Sequence, residues 1–254
     1  MRQVSASPPD PPMADPPMTE APSPNFDERR VPLDILLVHY TGMETAEGAL
    51  ARLCDPAARV SAHYLVDEAG RIFRLVPEDK RAWHAGRAFW AGERDINSAS
   101  IGVELANPGH EWGYRAFPEA QMAAFETLAR AILARHAIPP RRVLGHSDVA
   151  PKRKWDPGEL FDWARLARAG VGLWPKAGPF APEGRTFEAG DRAPELEEAQ
   201  VALGRIGYEV TATGALDEDT DAVLRAFQRR YRQSRVDGRL DPETAALIEA
   251  VLAA

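Results

Sequence analysis

Residues 35–40 read Ile-Leu-Leu-Val-His-Tyr, an apolar run of strand length with no polar side chain until its end. Such a run is typical of a strand buried on both faces of a sheet. Further strands and helices alternate irregularly with it, which predicts a mixed α/β domain with a central β-sheet flanked by helices. The predicted strands are 62–66, 71–75, 100–105 and 143–145, and the predicted helices are 45–53, 118–136 and 161–169.

The last quarter of the chain, residues 193–254, is predicted to form a small all-α domain of three helices. It contains an internal repeat, because 214–220 and 238–244 both fit the pattern G-x-L-D-x-x-T. We expect each copy to be a turn followed by a helix, with Asp217 or Asp241 capping the first helical turn. A bundle of this size has a modest core, so we expect it to pack on a partner surface or to be only moderately stable.

Two segments are predicted to lack regular structure. Residues 1–30 hold eight of the 22 prolines and almost no large apolar side chain, so we expect a disordered leader there. Residues 177–192 are rich in Gly and Pro and are interpreted as a linker. This division leaves residues 31–176 as the α/β domain.

Composition excludes several classes of function. The formal net charge is −7, whereas nucleic-acid-binding domains usually carry a basic patch, so no nucleic-acid partner is expected. No apolar run reaches the roughly 18 residues of a transmembrane helix, and the start of the chain lacks the pattern of a secretory signal. We therefore expect a cytoplasmic protein, with the periplasm or cell envelope as the alternative if an export signal is missing from this chain.

Three potential metal ligands follow predicted strands. His39 lies near the end of the first apolar run, His146 directly follows the strand at 143–145, and Asp156 comes ten residues later. Three protein ligands with an open fourth position are typical of catalytic zinc, whose bound water becomes a nucleophile near neutral pH. Spacing alone does not separate this hypothesis from histidines with structural roles, since the two histidines are far apart in the chain.

Five sequence words surround these positions in a fixed order and together span about residues 33–175. They are LVHYTG at 37–42, SAHYLVDEAGRIFRLVPE at 61–78, AWHAG at 82–86, NSASIGVEL at 97–105 and GHSDVAPKRKWDPG at 145–158. With these words the chain resembles the zinc-dependent N-acetylmuramoyl-L-alanine amidases of type 2, which are related to peptidoglycan recognition proteins. The resemblance implies that residues 31–176 are a catalytic domain that hydrolyses the amide between the lactyl group of (anhydro-)N-acetylmuramic acid and L-alanine.

The resemblance also implies individual roles. His39, His146 and Asp156 match the family's zinc ligands, Glu104 its catalytic carboxylate, and Lys154 the lysine two positions before the Asp ligand. Elementary chemistry agrees, because a carboxylate can carry a proton from water to the leaving amine and an ammonium group suits the oxyanion. The ordinary alternative for Glu104 is an exposed carboxylate on a strand.

Candidate substrate contacts are aromatic, imidazole and amide side chains within or near these words. Such groups can stack on a sugar or hydrogen-bond a peptide, and His63 or His84 could instead donate to a ligand shell. They are also common in cores and as structural hydrogen-bonding groups. The candidates are Tyr40, His63, Trp83, His84, Asn97 and Asn107.

The C-terminal domain resembles the helical peptidoglycan-binding domains found beside cell-wall hydrolases, through its words at 214–228 and 237–244. The resemblance implies peptidoglycan or muropeptide as the partner. The alternative is a helical appendage that covers one face of the α/β domain. Whether the substrate is a soluble anhydromuropeptide or intact wall stays open, as does the oligomeric state.

Two other functions compete with the amidase hypothesis. A non-catalytic peptidoglycan recognition module would be favoured by loss of a ligand, but here all three ligand positions, Glu104 and Lys154 hold competent side chains. A zinc peptidase is disfavoured, since the chain has no H-E-x-x-H signature.

Overall fold

The structure is a computed structural model that describes residues 15–175 and 184–254. Its strands are β1 (Met18–Glu20), β2 (Phe26–Glu28), β3 (Ile35–Tyr40), β4 (Tyr64–Val66), β5 (Ile72–Arg74), β6 (Lys80–Ala82), β7 (Ser100–Leu105) and β8 (Val143–Gly145). Six of them form one sheet in the order β1-β5-β4-β7-β3-β8, and β2 pairs with β6 in a second, two-stranded sheet. In the main sheet β4 and β5 are antiparallel and the other neighbours are parallel.

The centre of the main sheet brings the ends of three parallel strands together. The first four residues of β3 are fully buried, which explains why this run is apolar. β3 pairs with β7 in a register that sets His39 opposite Glu104, and it pairs with β8 on its other side. Because parallel strands end on the same side of a sheet, His146, which directly follows β8, reaches the same place.

Helices of the α/β domain cover the faces of the sheet. The described helices, including those of the C-terminal domain, are α1 (Ala46–Cys54), α2 (Ile96–Ala99), α3 (Gly109–Trp112), α4 (Glu119–His136), α5 (His146–Val149), α6 (Trp163–Arg168), α7 (Pro194–Ile206), α8 (Glu218–Tyr231) and α9 (Pro242–Ala253). The longest, α4, buries Phe125, Leu128 and Ile132 against the sheet, as its helical spacing predicts. Among the described residues, no helix combines the length and apolarity that a bilayer crossing requires.

The predicted fold class is confirmed, with a mixed α/β sheet domain followed by three helices. The hairpin predicted around the turn at 67–70 forms from β4 and β5. Helices α2, α3 and α5 were not predicted, because each has only four residues and cannot display a helical period.

The N-terminal segment corrects one prediction. We expected a disordered leader over 1–30; residues 1–14 lie outside the described ranges, but residues 15–30 contain β1 and β2. This segment is held by polar contacts as well as strand pairing. Asn25 donates to the carbonyls of Asp55 and Val60, and Arg29 donates to those of Ser98 and Ser100. The low apolar content of this segment therefore does not prevent order, because its polar side chains donate hydrogen bonds to backbone carbonyls of the domain.

The C-terminal domain repeats one hydrogen-bonding device twice. Asp217 and Asp241 cap α8 and α9, as the repeat predicts. A buried glutamine from the preceding helix holds each turn: Gln200 accepts from the Thr213 and Gly214 amides, and Gln228 accepts from the corresponding amides at 237 and 238. Each glutamine also donates to the carbonyl that follows, at 215 or 239. The repeat thus fixes turn, cap and helix packing together.

The two domains share a continuous apolar core. Leu144 and Val149 of the α/β domain belong to the same buried cluster as Leu224 and Phe227 of α8. Residues 177–183 of the predicted linker lie outside the described residues. In its described remainder Phe187 is buried and pairs with Leu240, so this stretch packs on the C-terminal domain.

Replacing Gln200 by Ala should destabilise the C-terminal domain. The change removes the side-chain amide that accepts from the backbone amides of Thr213 and Gly214 and donates to the Ala215 carbonyl. Loss of these buried hydrogen bonds should lower the free energy of unfolding by about 2 kcal/mol. Urea denaturation followed by circular dichroism measures the change. Glu198→Ala is the matched control, because Glu198 lies on the same helix and is exposed. Equal stability of the two variants would contradict this role of Gln200.

Candidate metal centre

His39, His146 and Asp156 form a buried cluster whose ligand atoms lie within 4.8 Å of one another. The Nδ1 atoms of the two histidines are 2.9 Å apart. The Oδ2 atom of Asp156 lies 3.1 Å from Nδ1 of His39 and 3.0 Å from Nδ1 of His146. All three residues are at most 4% exposed, so the three atoms face a common point screened from bulk water.

Close backbone packing sets the positions of His146 and Asp156. The amide of Ser147 donates to the Asp156 carbonyl at 2.9 Å and ties the two ligand segments together. Next to the two ligands in the chain, Gly145 approaches Pro157 so closely that a Cβ atom on Gly145 would lie 2.7 Å from the proline ring. Only glycine fits here, which explains the Gly that precedes His146 in the sequence.

The partners of His146 decide which of its ring nitrogens is free. Its Nε2 lies 3.0 Å from the carbonyl oxygen of Ala85. A carbonyl can only accept, so Nε2 carries the proton and Nδ1 of the neutral ring presents a lone pair to the cluster. Backbone acceptors that fix the tautomer in this way are typical of metal-bound histidines.

His39 is oriented by a chain of three hydrogen bonds behind it. Ser100 donates its hydroxyl proton to the Ile96 carbonyl, so its oxygen accepts from Nε2 of His84 at 3.4 Å. Nδ1 of His84 therefore accepts from Nε2 of His39, 3.0 Å away. Burial lowers the pKa of His39 to about 4, which keeps this ring neutral. Nδ1 of His39 consequently also presents a lone pair to the cluster.

The cluster fits a metal cation. Two nitrogen lone pairs and a carboxylate oxygen face one another at about 3 Å, and without a cation between them they would repel. Two nitrogens and one carboxylate oxygen form a donor set that suits zinc and similar divalent metals.

Glu104 lies beside the cluster on the neighbouring strand. It pairs with His39 in the β3–β7 register, and its Oε2 atom is buried with no hydrogen-bond partner among the described residues. Burial, and then the negative charge of Asp156, raise the pKa of Glu104 well above its ordinary value. An unpartnered buried carboxylate oxygen with a raised pKa is suited to accept and return a proton.

An open cleft of about 490 Å³ leads to the cluster. Lys154 and Asp156 both line it, together with Tyr40 and the loop at 108–111. The Tyr40 hydroxyl lies 3.0 Å from Nδ1 of His110. The cleft therefore offers an ammonium group, a phenol and an imidazole beside the three ligands.

Of the six predicted substrate contacts, only Tyr40 is among the residues that line this cleft. Trp83 is half-buried. The other four are buried side chains whose polar atoms form hydrogen bonds inside the protein. They are His63, His84, Asn97 and Asn107.

Each of these four holds a part of the site. His63 accepts from the Gly102 amide in β7 at 2.9 Å. Asn97 accepts from the amides of His84 and Ala85, which fixes the two residues that contact the metal ligands. Asn107 donates to the Arg115 carbonyl and accepts from the Gly109 amide, and so shapes the loop at the cleft wall.

Gly102 explains how His84 can lie against β7. A Cβ atom on Gly102 would be 2.6 Å from the His84 ring, so any larger residue would displace that ring and the bond to His39. The glycine of the GVEL word is therefore part of the support for the first ligand.

Three contributors to the site were not among the predicted residues. The Ala85 carbonyl that fixes His146 is a backbone group, which every residue type has, so the sequence does not identify it. Arg29, which holds the start of β7, lay within the predicted leader. Trp155 is 50% exposed at the cleft, and its place beside Asp156 was the one available signal.

Residues 29–159 match the profile of the N-acetylmuramoyl-L-alanine amidase family, and residues 192–248 match that of a peptidoglycan binding domain. The chain is 38% identical over 236 residues to the N-acetylmuramoyl-L-alanine amidase AmiD of Escherichia coli K12, covering 87% of this chain and 82% of that protein. It is 36% identical over 166 residues to the 1,6-anhydro-N-acetylmuramyl-L-alanine amidase AmpD of the same organism, covering 57% and 87%.

Solved structures show the same likeness. The complex of Escherichia coli AmiD with anhydro-N-acetylmuramic acid-L-Ala-D-gamma-Glu-L-Lys superimposes with a TM-score of 0.75 at 34% identity, covering 90% of this chain and 97% of that chain. AMPDH3 from Pseudomonas aeruginosa superimposes with a TM-score of 0.72 at 32% identity, covering 86% and 91%.

Replacing His84 by Phe should weaken metal binding without removing a ligand. Phe keeps a ring on Gly102 but cannot accept from His39, so the first ligand loses its orientation. We expect divalent-metal affinity to fall about 10–100-fold, measured by competition with a coloured chelator. His136→Ala is the control, because His136 contacts Glu78 at the surface of α4. An unchanged affinity in His84→Phe would contradict the hydrogen-bond chain.

Proposed function

This chain belongs to the N-acetylmuramoyl-L-alanine amidase family, and we propose that it uses zinc to hydrolyse the amide between N-acetylmuramic acid and L-alanine in peptidoglycan fragments. The bond broken joins the carbonyl of the lactyl group to the amino group of the first residue of the stem peptide. The observation that carries the proposal is the buried cluster of His39, His146 and Asp156 with Glu104 beside it, whose Oε2 atom has no hydrogen-bond partner in the described part of the chain.

The ligand set supports zinc as the metal, since two imidazoles and one carboxylate with an open fourth position are typical of catalytic zinc sites. Zinc bound there supplies Lewis acidity, which polarises the amide carbonyl and acidifies water. His84 and the Ala85 carbonyl hold the two imidazoles with their Nδ1 atoms facing inward.

Glu104 serves as the proton carrier in this proposal. Its carboxylate takes a proton from the attacking water, and the resulting acid gives that proton to the amide nitrogen as the C–N bond breaks. The enclosed environment that raises its pKa stabilises the protonated intermediate state of the side chain. Water and amide are thereby converted to a carboxylic acid and a free amine without a second acid or base.

Lys154 is proposed to stabilise the negative charge that develops on the amide oxygen. It lines the cleft beside Asp156, and a fixed positive charge near a developing oxyanion lowers the barrier. Two rings at the cleft, the partly buried Tyr40 and the exposed Trp155, present surfaces on which a sugar ring or an apolar side chain can pack.

The relatives support the choice of substrate class. AmiD forms a complex with the substrate anhydro-N-acetylmuramic acid-L-Ala-D-gamma-Glu-L-Lys, and AmpD is a 1,6-anhydro-N-acetylmuramyl-L-alanine amidase. We propose that the present chain accepts muramoyl peptides of the same chemistry. The match of residues 192–248 to a peptidoglycan binding domain supports a contribution of the C-terminal domain to binding. The complete set of catalytic groups disfavours a recognition module without activity.

Chelation should abolish activity, and zinc should restore it. The purified chain incubated with a muramoyl pentapeptide should release a peptide that begins at L-alanine, detected by mass spectrometry. Removal of zinc should stop this release, because Lewis acidity is lost, and stoichiometric Zn²⁺ should return it. Cleavage within the stem peptide, or full activity of the metal-free chain, would contradict the proposal.

Replacing Glu104 by Gln should lower kcat by about 10²–10⁴-fold, because the amide side chain cannot accept the proton from water. Bound zinc should stay close to one equivalent, since Glu104 is not a ligand; metal analysis of the purified variant tests this point. Glu47→Gln is the control, as Glu47 lies exposed on α1. A Glu104→Gln variant that keeps most of its turnover would remove Glu104 from the mechanism.

A further inference from the structure

Arg230 of α8 is a buried charge at the interface between the two domains. It is 2% exposed, and its guanidinium crosses from the C-terminal domain into the α/β domain. Nη1 donates to Oδ2 of Asp148 at 2.9 Å, and Nη2 donates to the Val143 carbonyl at 2.6 Å. Its plane lies over the Trp163 ring, 4.3 Å from the ring centre. One side chain of the C-terminal domain thus contacts both β8 and α5.

Asp148 joins this arginine to the metal centre. It is the third residue of α5, and His146 is the first. Its Oδ2 atom also accepts from the Gly145 amide at 2.8 Å, while Oδ1 accepts from the Tyr208 hydroxyl at 2.7 Å. Arg230 and Tyr208, both from the C-terminal domain, therefore hold the carboxylate that caps the helix on which His146 is carried.

This arrangement requires permanent contact between the domains. Asp148 is 1% exposed, and its charge is compensated by Arg230. Separation would break this ion pair and expose to water the apolar surfaces that enclose it, which is unfavourable. The same helix α8 supplies Leu224 and Phe227 to the shared core with Leu144 and Val149. A C-terminal domain that acted only as a mobile binding arm would not need an internal charge of this kind.

We propose that Arg230, supported by Tyr208, is a positioning residue for the metal ligand His146, so that the C-terminal domain is a built-in part of the metal centre. The inference rests on the proposed metal site. Arg230 acts through Asp148 and Gly145, which fix the start of α5 and thereby the direction of the His146 ring. Binding of metal and packing of the C-terminal domain are coupled through this path.

The test uses the full chain and the metal itself. Arg230→Met keeps an unbranched apolar side chain and removes the charge and the hydrogen-bond donors of the guanidinium, so α5 loses its anchor. We expect zinc affinity, measured by chelator competition, to fall at least about tenfold. The visible absorption of the Co²⁺-loaded chain, which reports ligand geometry, should change as well. Arg230→Lys restores the charge beside Asp148 and should recover part of the affinity.

Gln233→Ala is the matched control. Gln233 also bonds across the domain interface, to the Phe161 carbonyl at 2.6 Å, but this bond does not touch α5. A general effect of loosening the interface would lower metal affinity in both variants, whereas positioning of His146 lowers it only when Arg230 changes. Equal affinities in Gln233→Ala and the parent chain, with weaker binding in Arg230→Met, support the proposal.

Tyr208→Phe keeps the test decisive if Arg230→Met does not fold. It deletes one hydrogen bond to Asp148 and leaves the ring against Trp90, and we expect a several-fold weaker affinity and an altered Co²⁺ spectrum. A folded Tyr208→Phe or Arg230→Met variant with parental affinity and spectrum would overturn this inference and leave the proposed function intact. A parent chain that binds no metal overturns the proposed function together with it.

Discussion

Three lone-pair donors face one another inside this protein, and their mutual repulsion is the constraint around which the site is built. Nδ1 of His39, Nδ1 of His146 and Oδ2 of Asp156 lie about 3 Å apart. Left alone, either ring could turn its N–H toward the carboxylate and remove the repulsion. The Ala85 carbonyl and the path through His84 and Ser100 prevent this, because each demands the proton on the outer nitrogen. Much of the polar interior thus keeps the donors free for a cation.

The sequence predicted the parts of the fold that have a period or a long apolar run. The strands at 35–40, 100–105 and 143–145 were found with their observed bounds, since each is mostly apolar and almost entirely buried. β1 and β2 were missed, because a three-residue edge strand with exposed side chains leaves no pattern. The predicted His39, His146, Asp156 and Glu104 do meet at one place. The ends of the paired strands β3, β7 and β8 position His39, Glu104 and His146. The motifs that surround these residues in the sequence are what identified them.

The sequence left the roles of the supporting residues open for physical reasons. The residue types of His84 and Asn97 are compatible with substrate contact and with support of the ligands, and their buried positions favour support. Asp148 and Arg230 are 82 residues apart in the chain and belong to different domains, so no local pattern relates them. Charged residues are common in helices such as α8, and the role of Arg230 is evident only from its contact with Asp148 of α5.

The contact between Arg230 and the Val143 carbonyl has a second consequence, which concerns solubility. β8 is the last strand of the main sheet, and the free backbone groups of such a strand can recruit a strand from another molecule. A guanidinium that occupies one of these carbonyls, with α8 packed over α5, closes that side of the sheet to intermolecular pairing. At the opposite side β1 is the edge strand, and its three residues offer little backbone for pairing with another molecule. The two edges of the main sheet therefore limit aggregation in different ways.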